Sequence, residues 1–364
     1  MESLQQKEHQ PIPVDLIIEI LSRLTSTPIA RFRCLSKLWD SILRSQDFTD
    51  TFLARSLARP QLLFACGNDD GNLFFFSSPQ KSSSIAAANY HMNFPCARFD
   101  NVRHVNGLVC FKDNAFALKI FNPSTGQCLT LPEIKTHGRW MRTFLGCDAI
   151  EKQVKVLTIT GEHEGNAISD QHQVLTLETD KMSWRTIHCG IPHFPISGGV
   201  CINGVLYYIA TEDSMIVCFD VRSEKYTFIR ARGAVDLTTN LINYRGKLAS
   251  LGFYGNDEAG KSFYIWVLQD PESQVWLKFD YRFPIETWSE GRKDESYSVG
   301  VTGKSEILFF PDYVSDPFYV FYYNLERKTI RRSEIRGMRK FKGVGVRVPV
   351  RVRIGYFRFS GISV

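Results

Sequence analysis

Features that would point to a membrane, a secretory route or an enzyme centre are missing from these 364 residues. No apolar run reaches the roughly 18 residues that span a bilayer as a helix, so no membrane partner is expected. The opening MESLQQKEHQ has no apolar core, so a secretory signal is not expected either. Nine cysteines lie between Cys34 and Cys218 without a CxxC pair. An odd, unpatterned set in a chain without a leader reads as reduced buried thiols, not as disulfides or zinc ligands, and predicts a cytoplasmic or nuclear setting. Among the eight histidines, no HExxH, no HxxxH and no paired His/Cys spacing marks a metal site. Glu162-His163-Glu164 comes nearest to a chelating cluster, and its glycine-bounded context reads as a solvated turn. There is no GxxxxGK phosphate loop, no GxGxxG after a strand and no GxSxG elbow. The reading is therefore a non-enzyme with no cofactor and no catalytic residue. A propeller-type oxidase or glycosidase is the enzymatic alternative, without a metal constellation to support it.

Acidic residues are scarce in one place only. Of 44 Lys and Arg and 38 Asp and Glu, twelve bases and a single acid (Glu334) fall between Arg327 and Val364, so the rest of the chain is net acidic. The overall +6 belongs to the C-terminal tenth, and a global nucleic-acid-binding reading loses its main support. In residues 343–359, even positions from Val344 to Tyr356 are apolar and odd ones include Arg347, Arg351 and Arg353. That period of two predicts a strand with one basic face. Such a strand can close a propeller by removing a sheet edge; a frayed basic terminus is the alternative.

What is present falls into two textures. Between Pro13 and Leu43 apolar residues repeat at helical spacing: Leu16, Ile17, Ile20, Leu21 and Leu24, then Ile29, Phe32, Leu35, Trp39, Ile42 and Leu43. Pro13 suits a first helical turn, Asp15 its positive end, and Pro28 a break between two helices. Phe48, Phe52, Leu53 and Leu57 make a third stripe before Arg59-Pro60 ends it. Three short helices make too little core to stand alone, so the unit leans on a partner or neighbour. Ile12-Pro13, Asp15-Leu16 and Arg31-Phe32-Arg33-Cys34-Leu35-Ser36-Lys37-Leu38-Trp39 closely resemble an F-box over residues 12–53, with Leu24-Thr25 in place of the usual Leu-Pro. The resemblance implies docking to a Skp-type adaptor and through it to a cullin. By position it assigns Pro13, Leu16, Ile20, Leu24 and Trp39 to the adaptor-facing surface, and Ile17, Leu21, Phe32, Leu35 and Ile42 to packing among the helices. A stripe by itself leaves open that all ten are internal core.

After Pro60 the helical period is replaced by apolar runs broken by turn residues, the mark of an all-β domain. A hairpin unit recurs at 117–132, 172–187, 215–229, 263–279 and 318–335, with turns near Asn122, Glu178, Asp220, Asp270 and Asn324. A second element, a glycine turn before an apolar strand, recurs in VNGLVCF (105–111), INGVLYYIA (202–210), YRGKLASLG (244–252) and TGKSEILFF (302–310). Spacings of roughly 40–57 residues fit propeller blades, and at about 45 each residues 60–342 hold about six. The expected fold is multidomain, α plus all-β: a three-helix F-box followed by an irregular, kelch-like β-propeller, with a pair of β-sandwiches as the alternative. Phe74-Phe75-Phe76, Tyr207-Tyr208 and Phe321-Tyr322-Tyr323 read as strand residues.

NGLVCF, IFNPSTGQCLTLP, FLGCDAIEKQVKVLTI, Val174–Ile187 with Trp184-Arg185, INGVLYYIA and CFDVRSEKY resemble, in order, a type 3-like F-box-associated domain of the plant F-box family. The expected plan is a tail at 1–11, an F-box at 12–58, the associated domain at 59–342 and a basic strand or tail at 343–364. The resemblance implies a substrate-recognition subunit of a Skp-cullin-F-box ubiquitin ligase, with an unidentified target protein. A protein-interaction propeller working outside any ligase is the alternative.

Overall fold

The computed structural model describes residues 12–23, 32, 35–57, 61–67, 71–80, 84–96, 102–123, 126–136, 138, 140–162, 171–177, 181–210, 214–231, 233–236, 238–254, 262–283, 297–302, 305–311, 317–338 and 350–352. Leu24, Thr25, Pro28, Ile29, Cys34, Glu178, His163, Glu164 and the flanks of the basic terminal strand lie outside them.

Pro13 stands at the N-cap of α1 (Val14–Leu21), with Asp15 in the first turn. α2 (Lys37–Arg44) and α3 (Gln46–Leu57) follow. Ile17, Leu21, Ile42, Leu43, Phe48 and Phe52 form one buried cluster, with Ile18, Phe32 and Trp39 packed at its edge. The expected single helix through Leu43 is interrupted at Ser36, which is extended and whose hydroxyl accepts a hydrogen bond from Trp39 N at 3.3 Å. A serine side chain competes well for orphan N–H groups, and here that restarts the helix. Arg55 ties α3 back to α1: it pairs with the Glu19 carboxylate at 2.5 Å and donates to the Glu19 carbonyl at 2.9 Å and Ser22 Oγ at 2.6 Å.

The remainder is a six-bladed β-propeller. Blade one holds β1 (Gln61–Gly67), β2 (Asn72–Pro79) and β4 (Asn89–Pro95), while β3 (Ile85–Ala87) leaves it for another blade. Blade two is β5 (Arg103–Val105) to β8 (Gln127–Thr130), with β6 (Leu108–Lys112) and β7 (Leu118–Asn122) between. Blade three is β9 (Trp140–Cys147), β10 (Val154–Gly161), β11 (Gln171–Thr176) and β12 (Arg185–Ile187). Blade four is β13 (Val200–Ile202), β14 (Val205–Ala210), β15 (Met215–Asp220) and β16 (Tyr226–Arg230). Blade five is β17 (Asn240–Tyr244), β18 (Lys247–Phe253), β19 (Ser262–Asp270) and β20 (Val275–Arg282). Blade six is β21 (Tyr297–Val301), β22 (Ile307–Pro311), β23 (Tyr319–Asn324) and β24 (Thr329–Arg336).

The first strands of successive blades approach one another around the axis, β5 with β9, β9 with β13, β13 with β17 and β17 with β21. The fourth strands β8, β12 and β20 are largely exposed at the rim. The middle strands are covered on both faces. In β1, Leu62, Phe64 and Cys66 pack toward blade six, and Leu63 and Ala65 toward blade two. In β10, Val154 and Val156 face blade two while Leu157 and Ile159 face blade four. Six apolar clusters result, one at each blade interface. Double-sided burial explains why these strands read as nearly continuous apolar runs, with Phe74–Phe76, Tyr207-Tyr208 and Phe321–Tyr323 inside β2, β14 and β23.

The recurring turns have a defined geometry. Asn106-Gly107, Asn203-Gly204 and Arg245-Gly246 each have two successive positive φ angles, the two-residue turn whose twist suits a hairpin. The hairpins between third and fourth strands start at an Asn or Asp and end on a left-handed residue: Asn122 to Gly126, Asp220 to Glu224, Asp270 to Gln274, Asn324 to Lys328. The Asp220, Asp270 and Asn324 side chains accept hydrogen bonds from backbone N–H groups two or three residues on.

Ring closure uses both ends of the domain. β25 (Val350–Val352) pairs antiparallel with β1 as the inner strand of blade one, Val352 opposite Phe64 and Val350 opposite Cys66. In the other direction, β3 pairs parallel with β24 at the outer edge of blade six, Ile85 opposite Glu334 and Ala87 opposite Arg336. Gly337, at φ +99°, brings the chain so near the Ala88 carbonyl that a Cβ would lie 3.0 Å from it. Gly337→Ala is expected to destabilise the protein by about 1–3 kcal/mol through backbone strain at this seam. Gly190→Ala, where a Cβ meets nothing within 4 Å, should shift stability by less than about 0.5 kcal/mol. Denaturant midpoints at unchanged slope check both.

Candidate functional site

α1 carries two apolar stripes and can bury one of them against the small helical core. Ile17 and Leu21 turn inward, while Leu16 and Ile20 are 49% and 54% exposed. Ile12, Val14 and Leu38 are exposed as well, and Pro13 beside them is open to solvent. Trp39 is half-buried, its ring 5.3 Å from that of Phe32. Of the residues expected to pack the helices, Ile17, Leu21 and Ile42 are buried and Phe32 is at the cluster edge. Leu35 differs: it is 65% exposed, because it occupies the turn that Ser36 creates between the helical segments. Leu16 and Ile20 of α1, and Leu35 and Leu38 around the start of α2, are therefore apolar side chains left in solvent. Scattered exposed leucines need no explanation, but several on one small module form a surface suited to another protein.

On the propeller, the turns joining first to second and third to fourth strands share one end of the ring, as the antiparallel order of each blade requires. Their charged groups are taken up in stitching neighbouring blades. Glu224 of blade four accepts from Lys155 of blade three at 2.6 Å and pairs with Arg185 on β12. Arg222 reaches back to Glu151 at 3.2 Å, Asn203 donates to the Gly246 carbonyl at 3.2 Å, and Arg245 pairs with Glu326. Lys155 sits in a strand buried along its whole length, so its ammonium needs this carboxylate.

Burial would raise the Glu224 carboxyl, but hydrogen bonds from Arg185 and Lys155 outweigh it and hold the group below its ordinary value. A depressed carboxyl stabilises the folded protein at pH above the unfolded value, and that contribution disappears as pH falls through the folded one. Glu224→Gln should therefore lower stability at neutral pH. Its deficit should shrink as pH drops below about 4.5, the ordinary carboxyl value. Melting curves in half-unit pH steps check this, and a deficit unchanged into the acid range would contradict it.

One cluster escaped the sequence reading. His172 at the start of β11 meets Cys189 and His193 from the connector between β12 and β13, with ligand-type atoms of all three within 4.8 Å of one another. The Cys189-x3-His193 spacing is the one signal in the sequence, and its third member lies 17 positions upstream of Cys189, outside any local ligand pattern. No helix among the described residues is long and apolar enough to cross a membrane.

Residues 11–51 match the family model of the F-box domain, and residues 61–352 match that of the F-box associated beta propeller domain. F-box protein DOR of Arabidopsis thaliana is 48% identical over 360 residues, covering 93% of this chain and 91% of that protein. A second F-box protein of the same plant is 46% identical over 355 residues, covering 91% of this chain and 86% of the relative. Among solved structures, a chain of the nidogen/laminin complex superposes with a TM-score of 0.46 at 13% identity, over 76% of this chain and 93% of that one. The exposed helical surface and the six-bladed ring thus coincide with two family models in sequence order, and the chain belongs to the F-box proteins that carry an F-box-associated β-propeller domain.

Proposed function

We propose that this protein is the substrate-recognition subunit of a Skp-cullin-F-box ubiquitin ligase, acting in the cytoplasm or nucleus and doing no covalent chemistry itself. The F-box docks to a Skp-type adaptor, which connects it to a cullin. The propeller, of the irregular kelch-like kind, holds the target protein. Catalysis is then a matter of proximity: fixing the target near the charged ubiquitin raises its effective concentration. The observation that carries this reading is the second apolar stripe of α1. With Ile17 and Leu21 filling the internal core, Leu16 and Ile20 remain outside it, as do Leu35 and Leu38. Pro13 and Trp39 shape the margins of the same surface, and Leu24 is assigned to it by its match to the family pattern.

The test uses the exposure of the stripe. Leu16→Asp with Ile20→Asp places two carboxylates where an adaptor would bury them, which is expected to abolish copurification with the adaptor. Because both side chains face solvent in the free protein, the double variant should keep the parental circular-dichroism spectrum and melting temperature within a few degrees. Unimpaired adaptor binding by the folded double variant would overturn the assignment. Binding lost together with loss of helical signal would indicate collapse of the module, and Leu38→Asp then serves as a second probe on α2.

A further inference from the structure

We propose that His172, Cys189 and His193 form a metal site for a zinc-class divalent ion, clamping the connector between β12 and β13 onto blade three. Three observations carry it. The three side chains come from two separate elements and converge, with one ligand-type atom of each within 4.8 Å of the others. His172 and His193 are 4% and 0% exposed and Cys189 is half-buried, so the ligands are shielded while the thiol stays reachable. Each imidazole is also held by a tyrosine: His172 Nδ1 lies 2.8 Å from the Tyr226 hydroxyl, and His193 Nε2 lies 2.7 Å from that of Tyr208. A hydrogen bond from the remote ring nitrogen to an oxygen is what orients a metal-bound histidine.

With those nitrogens facing the tyrosines, the ligand atoms are His172 Nε2, His193 Nδ1 and Cys189 Sγ. The Cys189 Sγ to His193 Nδ1 separation is 3.9 Å. Zinc bonded at about 2.3 Å to sulfur and about 2.0–2.1 Å to nitrogen needs roughly 3.5 Å between them, so the pair closes by a few tenths of an ångström. His193 Nδ1 and Cys189 Sγ now both bond the Ile191 carbonyl, at 2.8 and 3.3 Å, and loading exchanges that oxygen for the metal. The proton balance is simple. The Cys189 thiol releases one proton to solvent; His172 keeps its single proton on Nδ1, facing Tyr226, while His193 moves its proton from Nδ1, where it now donates to the Ile191 carbonyl, to Nε2, where the Tyr208 hydroxyl accepts it. A thiolate with two imidazoles suits zinc and its neighbours, while magnesium and calcium take oxygen ligands. Water completes the tetrahedron on the open side of Cys189.

The experiment uses the full-length protein, stripped with chelator and titrated with Co²⁺ as the spectroscopic stand-in. One equivalent should bring up a thiolate-to-cobalt charge-transfer band with tetrahedral ligand-field bands, which Zn²⁺ then displaces, and Zn²⁺ should raise the melting temperature. Cys189→Ser, at a half-exposed position, should fold normally, lose the charge-transfer band and weaken Co²⁺ binding at least tenfold. His172→Gln tests the second element and should also abolish the Zn²⁺-dependent rise in melting temperature. No charge-transfer band on Co²⁺ addition, or a band that persists unchanged in Cys189→Ser, would overturn the site.

Discussion

Closure of the ring between blade one and blade six is the constraint on which the propeller depends. Every middle strand buries both faces, so each blade is a wall shared by two cores and a ring with a gap would leave two such walls in water. The chain meets that demand by exchanging strands in both directions. Val350–Val352 supplies the inner strand of the first blade, and Ile85–Ala87, taken from the connection between β2 and β4 of that blade, extends the last. The interface core behind the exchange joins Leu62, Phe64, Phe76 and Ala86 to Leu308, Phe310, Val320, Tyr322 and Ile335. Backbone hydrogen bonds from Ala88 N to the Arg336 carbonyl and from Glu334 N to the Ser84 carbonyl run alongside. Hydrogen bonding across the seam and burial behind it therefore reinforce each other, and two otherwise open edges are covered.

The helical module obeys a different economy. Among the described residues its internal core is six buried side chains, fewer than at a blade interface. Leu16 and Ile20 of α1, with Leu35 and Leu38 around the start of α2, lie outside that core and outward. The Arg55–Glu19–Ser22 network then matters for geometry: it fixes α3 against the end of α1 and so holds the outward stripe in one orientation. A surface that is apolar yet rigid binds without first paying to order itself.

Local patterns were legible in the sequence wherever a local rule governs. The hairpin at 215–229 and the Asn203-Gly204 turn emerged where apolar period and turn residues placed them. Leu35 was misjudged because helical spacing counts it into a stripe, whereas the Ser36 hydroxyl, competing for the Trp39 N–H, ends that stripe one residue later. β3 was not foreseen at all. Three residues pairing in parallel with a strand some 250 positions away leave no periodic trace. The same holds for His172, whose partners Cys189 and His193 are assembled by the connector that follows β12.

The sequence alone determined the helical spacing of the first module, the rhythm of the blade hairpins and the turn residues between them, because each follows from backbone preferences over a few neighbouring positions. Tertiary structure decided which α1 stripe faces inward, where the first and last blades find their missing strands, how Lys155 is neutralised by Glu224, and that two histidines and a cysteine meet. Those outcomes depend on which distant segments the closed ring forces into contact, and no window of sequence contains both partners.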